Sequence, residues 1–285
     1  MQIIISPAKQ MAVRNDSFEP RGIPSFPRET EYILHALQAI EKEKGPQGLQ
    51  GLWSVSDKLL NENIERLHTF RHVSSADQLS EPSVSRLVCP ALFSYIGIQY
   101  RSMAPAVLDG RALEWLQSHL WILSGLYGCL RPFDAVQPYR LEMGAKLNIG
   151  ESQGLYAFWG DRVANEVRES AQEDCVLVNL ASAEYAKAVL PHLDERTHVV
   201  TCVFSSTVHN GKPVQKSTES KAARGSMVRW MAEREISSVE ELRGFDVGFH
   251  YDASLSIDKG SHQKIVFVRG PVHSASSPQT SPRGI

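Results

Sequence analysis

The chain has 285 residues, of which 42% are hydrophobic and 22% are charged, and its formal net charge is −2. This length fits one large domain or two small ones, with enough apolar residues to bury a core. Because the charge is nearly balanced, no field over the whole molecule recruits nucleic acid, and a DNA-binding surface has to be a local basic patch.

The amino-terminal half predicts one strand, one loop and three helices. Gln2 to Ile5 is a β-branched run ended by Ser6-Pro7, which is typical of a buried first strand. The prolines and glycines of residues 10–28 predict a surface loop. Helices are predicted from Thr30 to Gly45-Pro46, from Ser56 onward, and from Asp109-Gly110 to Leu123.

The carboxy-terminal half begins with residues 131–160, which show little periodicity; a long segment of this kind is more often functional than idle. Strands are predicted at 175–180, 198–204 and 264–268, with helices at 183–189 and 219–235. Asn210-Gly211 predicts a hairpin, because both residues accept the positive φ angles of a type I′ turn. The Ser-, Pro- and Gly-rich residues 271–285 predict a disordered tail.

These elements predict an α/β fold: a single domain of residues 1–270 with a mixed β-sheet surrounded by helices. Strict β-α-β alternation is missing, which disfavours a doubly wound sheet. No apolar run approaches the ~20 residues that cross a bilayer, and no signal peptide is evident, so we expect a soluble cytoplasmic protein without a membrane partner.

Metal and cofactor chemistry has weak support. The cysteines are widely spaced without a C-x-x-C pair, which favours buried free thiols: Cys89, Cys129, Cys175 and Cys202. No H-E-x-x-H motif occurs either. We therefore predict neither a metal site nor a cofactor.

Seven short motifs follow one another along the chain. They are SPAK (6–9), SDKL (56–59), LSGLYGCLRP (123–132), QPYRLEMG (137–144), FWGD (158–161), NLASAEY (179–185) and KAARG (221–225). Each is weak alone, but in this order they resemble the YaaA peroxide-stress family. The resemblance implies protection against peroxide by limiting free intracellular iron. It also implies binding of duplex DNA through a basic cleft and a helix-hairpin-helix element on an α/β fold.

Two positions depart from the pattern of that family. Phe93 stands where the resemblance predicts an acidic residue, and Ala222 stands where it predicts a lysine. Both departures remove charge from the implied site. A chain that has kept the fold and lost the family's site is therefore one hypothesis.

Six basic residues follow predicted strands, begin helices or lie in the unperiodic segment, where ligand sites commonly form. They are Lys9, Lys58, Arg131, Arg140, Lys221 and Arg224. Lys221 and Arg224 share a helix face because they are three residues apart, and small neighbours let a ligand or another backbone approach. We expect this set to bind an anion, either the phosphates of double-stranded DNA or a small ligand.

Four polar residues are candidates for the wall of the same cleft: Asp161, Asn179, Glu142 and Glu184. Asn179 interrupts an apolar run, so it either forms the floor of a polar pocket or is a hydrogen-bonded structural residue. Glu184 near the start of a helix is also explained by the helix dipole alone. We predict that one concave surface gathers Lys9, Lys58, Arg140, Asp161, Lys221 and Arg224.

A helix-hairpin-helix element has one candidate segment, Leu123 to Arg131. Gly125 and Gly128 follow a predicted helix there, but they are three residues apart, and a helix that ends at a glycine explains them more simply.

Two further hypotheses about function stand beside loss of the site. The first is a non-catalytic DNA-binding stress protein, and the second is an enzyme acting on a small anionic or nucleotide-like substrate. The oligomeric state and the catalytic residues stay open.

Overall fold

The computed structural model describes residues 1–13, 18–170, 176–257 and 260–270. In chain order its helices and strands are β1 (Gln2–Ile5), β2 (Gln10–Met11), α1 (Pro27–Trp53), α2 (Asp57–Thr69), α3 (Pro82–Ser85), β3 (Cys89–Pro90), α4 (Ala91–Ser94), β4 (Tyr95–Ile96), α5 (Ile98–Met103), α6 (Gly110–His119), β5 (Leu120–Ser124), β6 (Gly128–Leu130), β7 (Ala135–Val136), α7 (Leu155–Trp159), α8 (Arg162–Glu169), β8 (Val176–Asn179), α9 (Ala183–Ala186), β9 (His198–Ser205), β10 (Thr207–His209), β11 (Lys212–Val214), α10 (Ser217–Arg234), α11 (Val239–Leu242), β12 (Phe249–Tyr251) and β13 (His262–Arg269).

A seven-stranded sheet in the order β12-β13-β9-β8-β1-β5-β6 organises the described part of the chain. Its five central strands are parallel, and the edge strands β12 and β6 run antiparallel to their neighbours. The predicted α/β fold with a mixed sheet is therefore confirmed.

The order of the parallel strands corrects one expectation. Counted 1 to 5 along the chain, the parallel strands are β1, β5, β8, β9 and β13. Across the sheet they lie in the order 2-1-3-4-5, which is typical of doubly wound sheets. We disfavoured that arrangement because strict alternation is missing. The reason is local: the connections contain short helices and two-stranded ladders such as β2-β4 and β3-β7 rather than one crossover helix each.

The core begins at the centre of this sheet. Ile3, Ile4 and Ile5 of β1 are fully buried, as is Ile122 of the neighbouring β5. Parallel strands covered on both faces read as continuous apolar runs, which is why the first strand is predictable from sequence. The Asn210-Gly211 hairpin is confirmed as well, with φ angles of 49° and 70°.

The third predicted helix is wrong at its end. α6 ends at His119, and Leu120 to Ser124 form β5, which turns back into β6. The leucine spacing that suggested a longer helix continues into an apolar run, and that run gains more from pairing with β1 than from one more helical turn. The segment proposed for a helix-hairpin-helix is therefore a β-hairpin.

Some expectations fall outside the described residues, namely Cys175 and the tail at 271–285. Cys89, Cys129 and Cys202 are buried free thiols. Across the described ranges, no helix is both long and apolar enough to cross a membrane.

Candidate functional site

The main cleft, of about 550 Å³, opens beyond the carboxyl ends of the parallel strands. Ser6 follows β1 and Ser182 lies three residues after β8, and both line the cleft. Their hydroxyl oxygens are 3.2 Å apart, and the Ser182 N–H donates to Ser6 Oγ at 2.9 Å. Strand order changes direction between β1 and β8, so this is the switch point where open α/β sheets bind ligands.

The SPAK motif is held in place by α5. Gln99 Nε2 and Tyr100 Oη both donate to the Ser6 carbonyl oxygen, at 2.9 and 3.1 Å. A Cβ atom on Gly97 would lie 3.1 Å from Ala8 Cβ, so a side chain there would crowd the loop. The backbone leading to Lys9 is thereby fixed.

One side of the cleft is an ion-paired cluster of Lys9, Arg140 and Glu142. Glu142 Oε1 lies 2.6 Å from Lys9 Nζ and 3.0 Å from Arg140 Nη2. Arg140 Nη1 also donates to the Lys9 carbonyl oxygen at 3.2 Å. Gly125 lets the backbone of Leu141 and Glu142 lie close to it, because a Cβ atom on Gly125 would be 2.8 Å from the Leu141 carbonyl oxygen. We call these three residues the paired half of the cleft.

The lining also carries Arg101 of α5 together with Lys221 and Arg224 of α10. The backbones of α5 and α10 are in direct contact at Gly225. A Cβ atom on this residue would be only 1.9 Å from the Gln99 carbonyl oxygen. None of the three cations makes an ion pair with a residue of the described ranges. We call them the open half.

Arg224 is the cation of the open half that burial affects most. Its Nε is buried without a hydrogen-bond partner among the described residues, and burial lowers the pKa of its guanidinium. A buried cation is costly unless it is paired. The side chain is therefore placed to gain from an incoming anion.

The net charge of the lining is positive. Five basic side chains and two acidic ones, Glu142 and Glu184, face the cleft, which leaves an excess of three positive charges in a chain whose net charge is −2. Glu184 Oε1 accepts the Gly144 N–H at 2.9 Å. Among the described residues, the lining therefore carries more basic than acidic side chains.

Six of the ten predicted site residues line this cleft, namely Lys9, Arg140, Lys221, Arg224, Glu142 and Glu184. Lys58 is outside it, exposed in the first turn of α2. Asp161 is also outside, exposed before the first turn of α8. The structure therefore brings Lys9, Arg140, Lys221 and Arg224 together in one cleft and leaves Lys58 and Asp161 outside it.

Arg131 needs a correction. Its guanidinium lies 3.7 Å from the centre of the Trp121 ring and donates to Gln2 Oε1 and the Ser118 carbonyl oxygen, each at 3.3 Å. Gln2 begins β1, whereas Ser6 follows its end. Arg131 is therefore at the opposite end of the strand from the cleft, where it stabilises packing.

Asn179 has its hydrogen bonds within the fold. Its Oδ1 accepts the Ala181 N–H at 3.0 Å, and its Nδ2 donates to Thr201 Oγ1 at 3.3 Å. The side chain is buried and does not line the cleft. Of the two interpretations, the hydrogen-bonded structural asparagine fits this geometry.

Sequence reasoning missed two features of the cleft. Arg101 lies outside all seven motifs, and no sequence signal marks it. Tyr139 lines the cleft and shares hydrogen bonds with Ser124 Oγ at 2.6 Å and Tyr95 Oη at 3.1 Å. Burial raises the pKa of Tyr139 and Tyr95, so this network beside the basic side chains is neutral.

A histidine pair was also overlooked. His68 and His72 are four residues apart, a spacing that can hold a metal on a helix, but α2 ends at Thr69 between them. His68 Nε2 pairs with Glu41 Oε1 at 2.8 Å, and His72 Nε2 is 2.8 Å from the Pro27 carbonyl oxygen. The described residues contain no group of three or more His, Cys, Asp or Glu side chains arranged to hold a metal.

The fold and the cleft define an α/β protein with a cleft at the switch point of its parallel strands. Comparison with known families shows which family the chain belongs to. The family model described as peroxide stress protein YaaA matches residues 1–255, and the chain belongs to this family.

Relatives of this chain cover it almost end to end. A UPF0246 protein of Lachnoclostridium phytofermentans is 40% identical over 271 residues, 95% of this chain and 97% of its own length. UPF0246 proteins of Pediococcus pentosaceus and Limosilactobacillus fermentum are 40% and 41% identical, covering 96% and 90% of this chain and 100% and 97% of their own lengths.

Proposed function

We propose that this peroxide-stress family member works by binding an anionic ligand in the open half of its cleft. The observation that supports this most is Arg224, whose partly buried guanidinium faces the cleft without an ion-pair partner among the described residues. Lys221 is three residues away on the same helix, and Arg101 is on the helix packed against it. The paired half supplies little free charge, because Glu142 already neutralises one of its two cations.

The size of the cleft favours a small ligand. Ligand sites have volumes of about 300–1,000 Å³, and the volume of about 550 Å³ lies inside that range. Duplex DNA is a second candidate, favoured by the exposure of Lys9, Arg101 and Lys221 along the cleft. It would contact these side chains through phosphates rather than fill the cavity.

Titration calorimetry with inorganic phosphate and with a nucleoside monophosphate tests the small-ligand proposal. We expect Arg224→Ala to weaken binding at least tenfold, because charge-assisted hydrogen bonds to a buried arginine are lost. Lys58→Ala, which removes an exposed lysine outside the cleft, is the matched control and should bind like the parent chain. Equal affinities for all three proteins would contradict the proposal.

Binding of a short duplex, measured over a range of salt concentrations, tests the DNA candidate. Phosphate contacts predict an affinity that falls with salt, and Lys221→Ala should flatten that slope by about one unit. An affinity that does not depend on salt would exclude DNA as the occupant.

An enzyme acting on the same ligand remains within this proposal, with Glu142 and Glu184 as the acidic side chains of the cleft. Mass spectrometry of small molecules retained by the purified protein identifies substrate candidates.

Limitation of iron-driven damage is likewise part of the proposal. Measuring free intracellular iron in peroxide-treated cells that carry either the parent chain or Arg224→Ala links that effect to the cleft.

A further inference from the structure

A second concavity, of about 160 Å³, adjoins the main cleft. α4, α5 and the turn after α5 form its wall, and most of the lining is apolar, including Phe93, Tyr100, Ala106 and Val107. We call it the apolar groove. Val107 is 69% exposed, so this part of the groove is in contact with water.

The cleft and the groove share part of their lining. Ile96, Gly97 and Arg101 belong to both, so the two spaces adjoin at these residues. Arg101 is the single charged side chain of the groove lining among the described residues, and it also belongs to the open half. The charge therefore lies at the junction, with apolar surface beyond it.

The groove has the size of a short hydrocarbon group. At about 30 Å³ for each small group, the liquid volume of a water molecule, its roughly 160 Å³ holds about five methylene-sized groups. A purely polar anion would leave this surface exposed to water. A ligand with an apolar part would cover it and gain the free energy of apolar burial.

We propose that the cleft and the groove bind one amphiphilic anion. Its phosphate or carboxylate head group lies on Arg101, Lys221 and Arg224, and its short alkyl or single-ring tail occupies the apolar groove. This inference rests on the proposed function, since it uses the same cations, and adds the chemical class of the ligand.

A series of inorganic phosphate, methyl phosphate, butyl phosphate, hexyl phosphate and octyl phosphate tests the inference by titration calorimetry. We expect the affinity to rise about two- to fourfold for each methylene that becomes buried, and to level off once the groove is full. Ala106→Trp fills the groove from an exposed position and should abolish the gain with chain length, measured relative to inorganic phosphate on the same variant. Val247→Trp adds the same side chain at an exposed valine away from the groove and should retain the gain.

The outcomes separate the two proposals. If inorganic phosphate binds and Arg224→Ala weakens it, but chain length brings no gain, the amphiphile inference is overturned and the proposed function stands. A gain that survives in Ala106→Trp, and also in Val107→Ser, overturns the inference too, because the tail then binds elsewhere. If neither phosphate nor any alkyl phosphate binds, the amphiphile inference is overturned, and the proposed function then depends on the nucleoside monophosphate and duplex DNA titrations.

Discussion

Two arginines show how far a side chain's role depends on its surroundings. Arg131 is stacked on Trp121 and donates to a carbonyl oxygen, so its charge is used within the fold. Arg224 is partly buried, faces the cleft and has an unpartnered Nε among the described atoms. Both lie within short motifs of the sequence, and only their contacts in the fold separate the packing residue from the one proposed to bind a ligand.

Phe93 is a core residue of this chain. Its ring stacks on Phe18 with centroids 4.2 Å apart and meets Phe133 at 5.9 Å. Phe93→Asp removes these contacts and buries a carboxylate, so we expect a loss of about 3–5 kcal/mol in the free energy of unfolding, or more. Urea denaturation measures this loss. Tyr32→Asp, at an aromatic position that is 58% exposed, should cost far less; near-equal losses would show that Phe93 is not packed as described.

Asp134 gives the stability of the fold a dependence on pH. Burial raises the pKa of its carboxyl to about 7, although the Arg131 N–H donates to Oδ2 at 2.8 Å. Well below pH 4 the Asp134 carboxyl is protonated in both the folded and the unfolded chain. As the pH rises, the unfolded chain ionises first, so the contribution of Asp134 to stability falls until about pH 7 and is constant above it.

Replacing Asp134 with Asn removes this titration and keeps an oxygen acceptor for the Arg131 N–H. We expect the stability of the parent chain relative to Asp134→Asn to fall by a few kcal/mol between about pH 4 and pH 7, at about 1.4 kcal/mol for each pKa unit. Thermal or urea unfolding of both proteins at several pH values measures the difference. A constant difference across this range would contradict the raised pKa.

At the scale of secondary structure, the contact between α5 and α10 builds the open half. Gly225 has no room for a side chain, because the α5 backbone lies directly against it. This contact explains why the KAARG motif has a glycine at this position. The small residues of the motif predict close approach of a ligand or another backbone, and at Gly225 that neighbour is the backbone of Gln99. The basic residues on either side then face the same space.

Gly225→Ala tests this contact. Alanine favours helices over glycine by about 1 kcal/mol, but a Cβ atom 1.9 Å from a backbone oxygen forces the helices apart, so we expect a net loss of about 1–3 kcal/mol. Gly51→Ala in α1 is the matched control, because nothing lies within 4 Å of its added Cβ, and it should stabilise the chain slightly. Comparison of the two melting temperatures decides; a stabilised Gly225→Ala would refute the close contact.

At the scale of the whole molecule, ligand binding should raise stability. A ligand that binds only the folded chain adds about 2.7 kcal/mol at one hundred times its dissociation constant. We expect phosphate to raise the melting temperature of the parent chain and to have a much smaller effect on Arg224→Ala, as differential scanning fluorimetry would show. An equal rise in both would place the binding elsewhere.

The sequence predicts the parts of this molecule that local rules decide. The burial of Ile3 to Ile5 and the Asn210-Gly211 turn follow from composition and φ preferences alone. The end of α6 does not, because helical leucine spacing and an apolar strand coincide there and pairing with β1 decides between them. The membership of the cleft is decided by contacts such as Gly225 with Gln99, more than one hundred residues apart, which is why Arg101 is invisible to motif reading.

The central place of β1 has a consequence for the order in which the chain folds during synthesis. β1 precedes the other described strands along the chain, yet its two partners are residues 120–124 and 176–179. The chain must therefore be translated through residue 179 before this strand is paired on both sides, and such long-range parallel pairing is slow. Until then the three isoleucines of the nascent strand lack the cover that they have in the folded protein, and unpaired apolar strands of this kind are prone to aggregate.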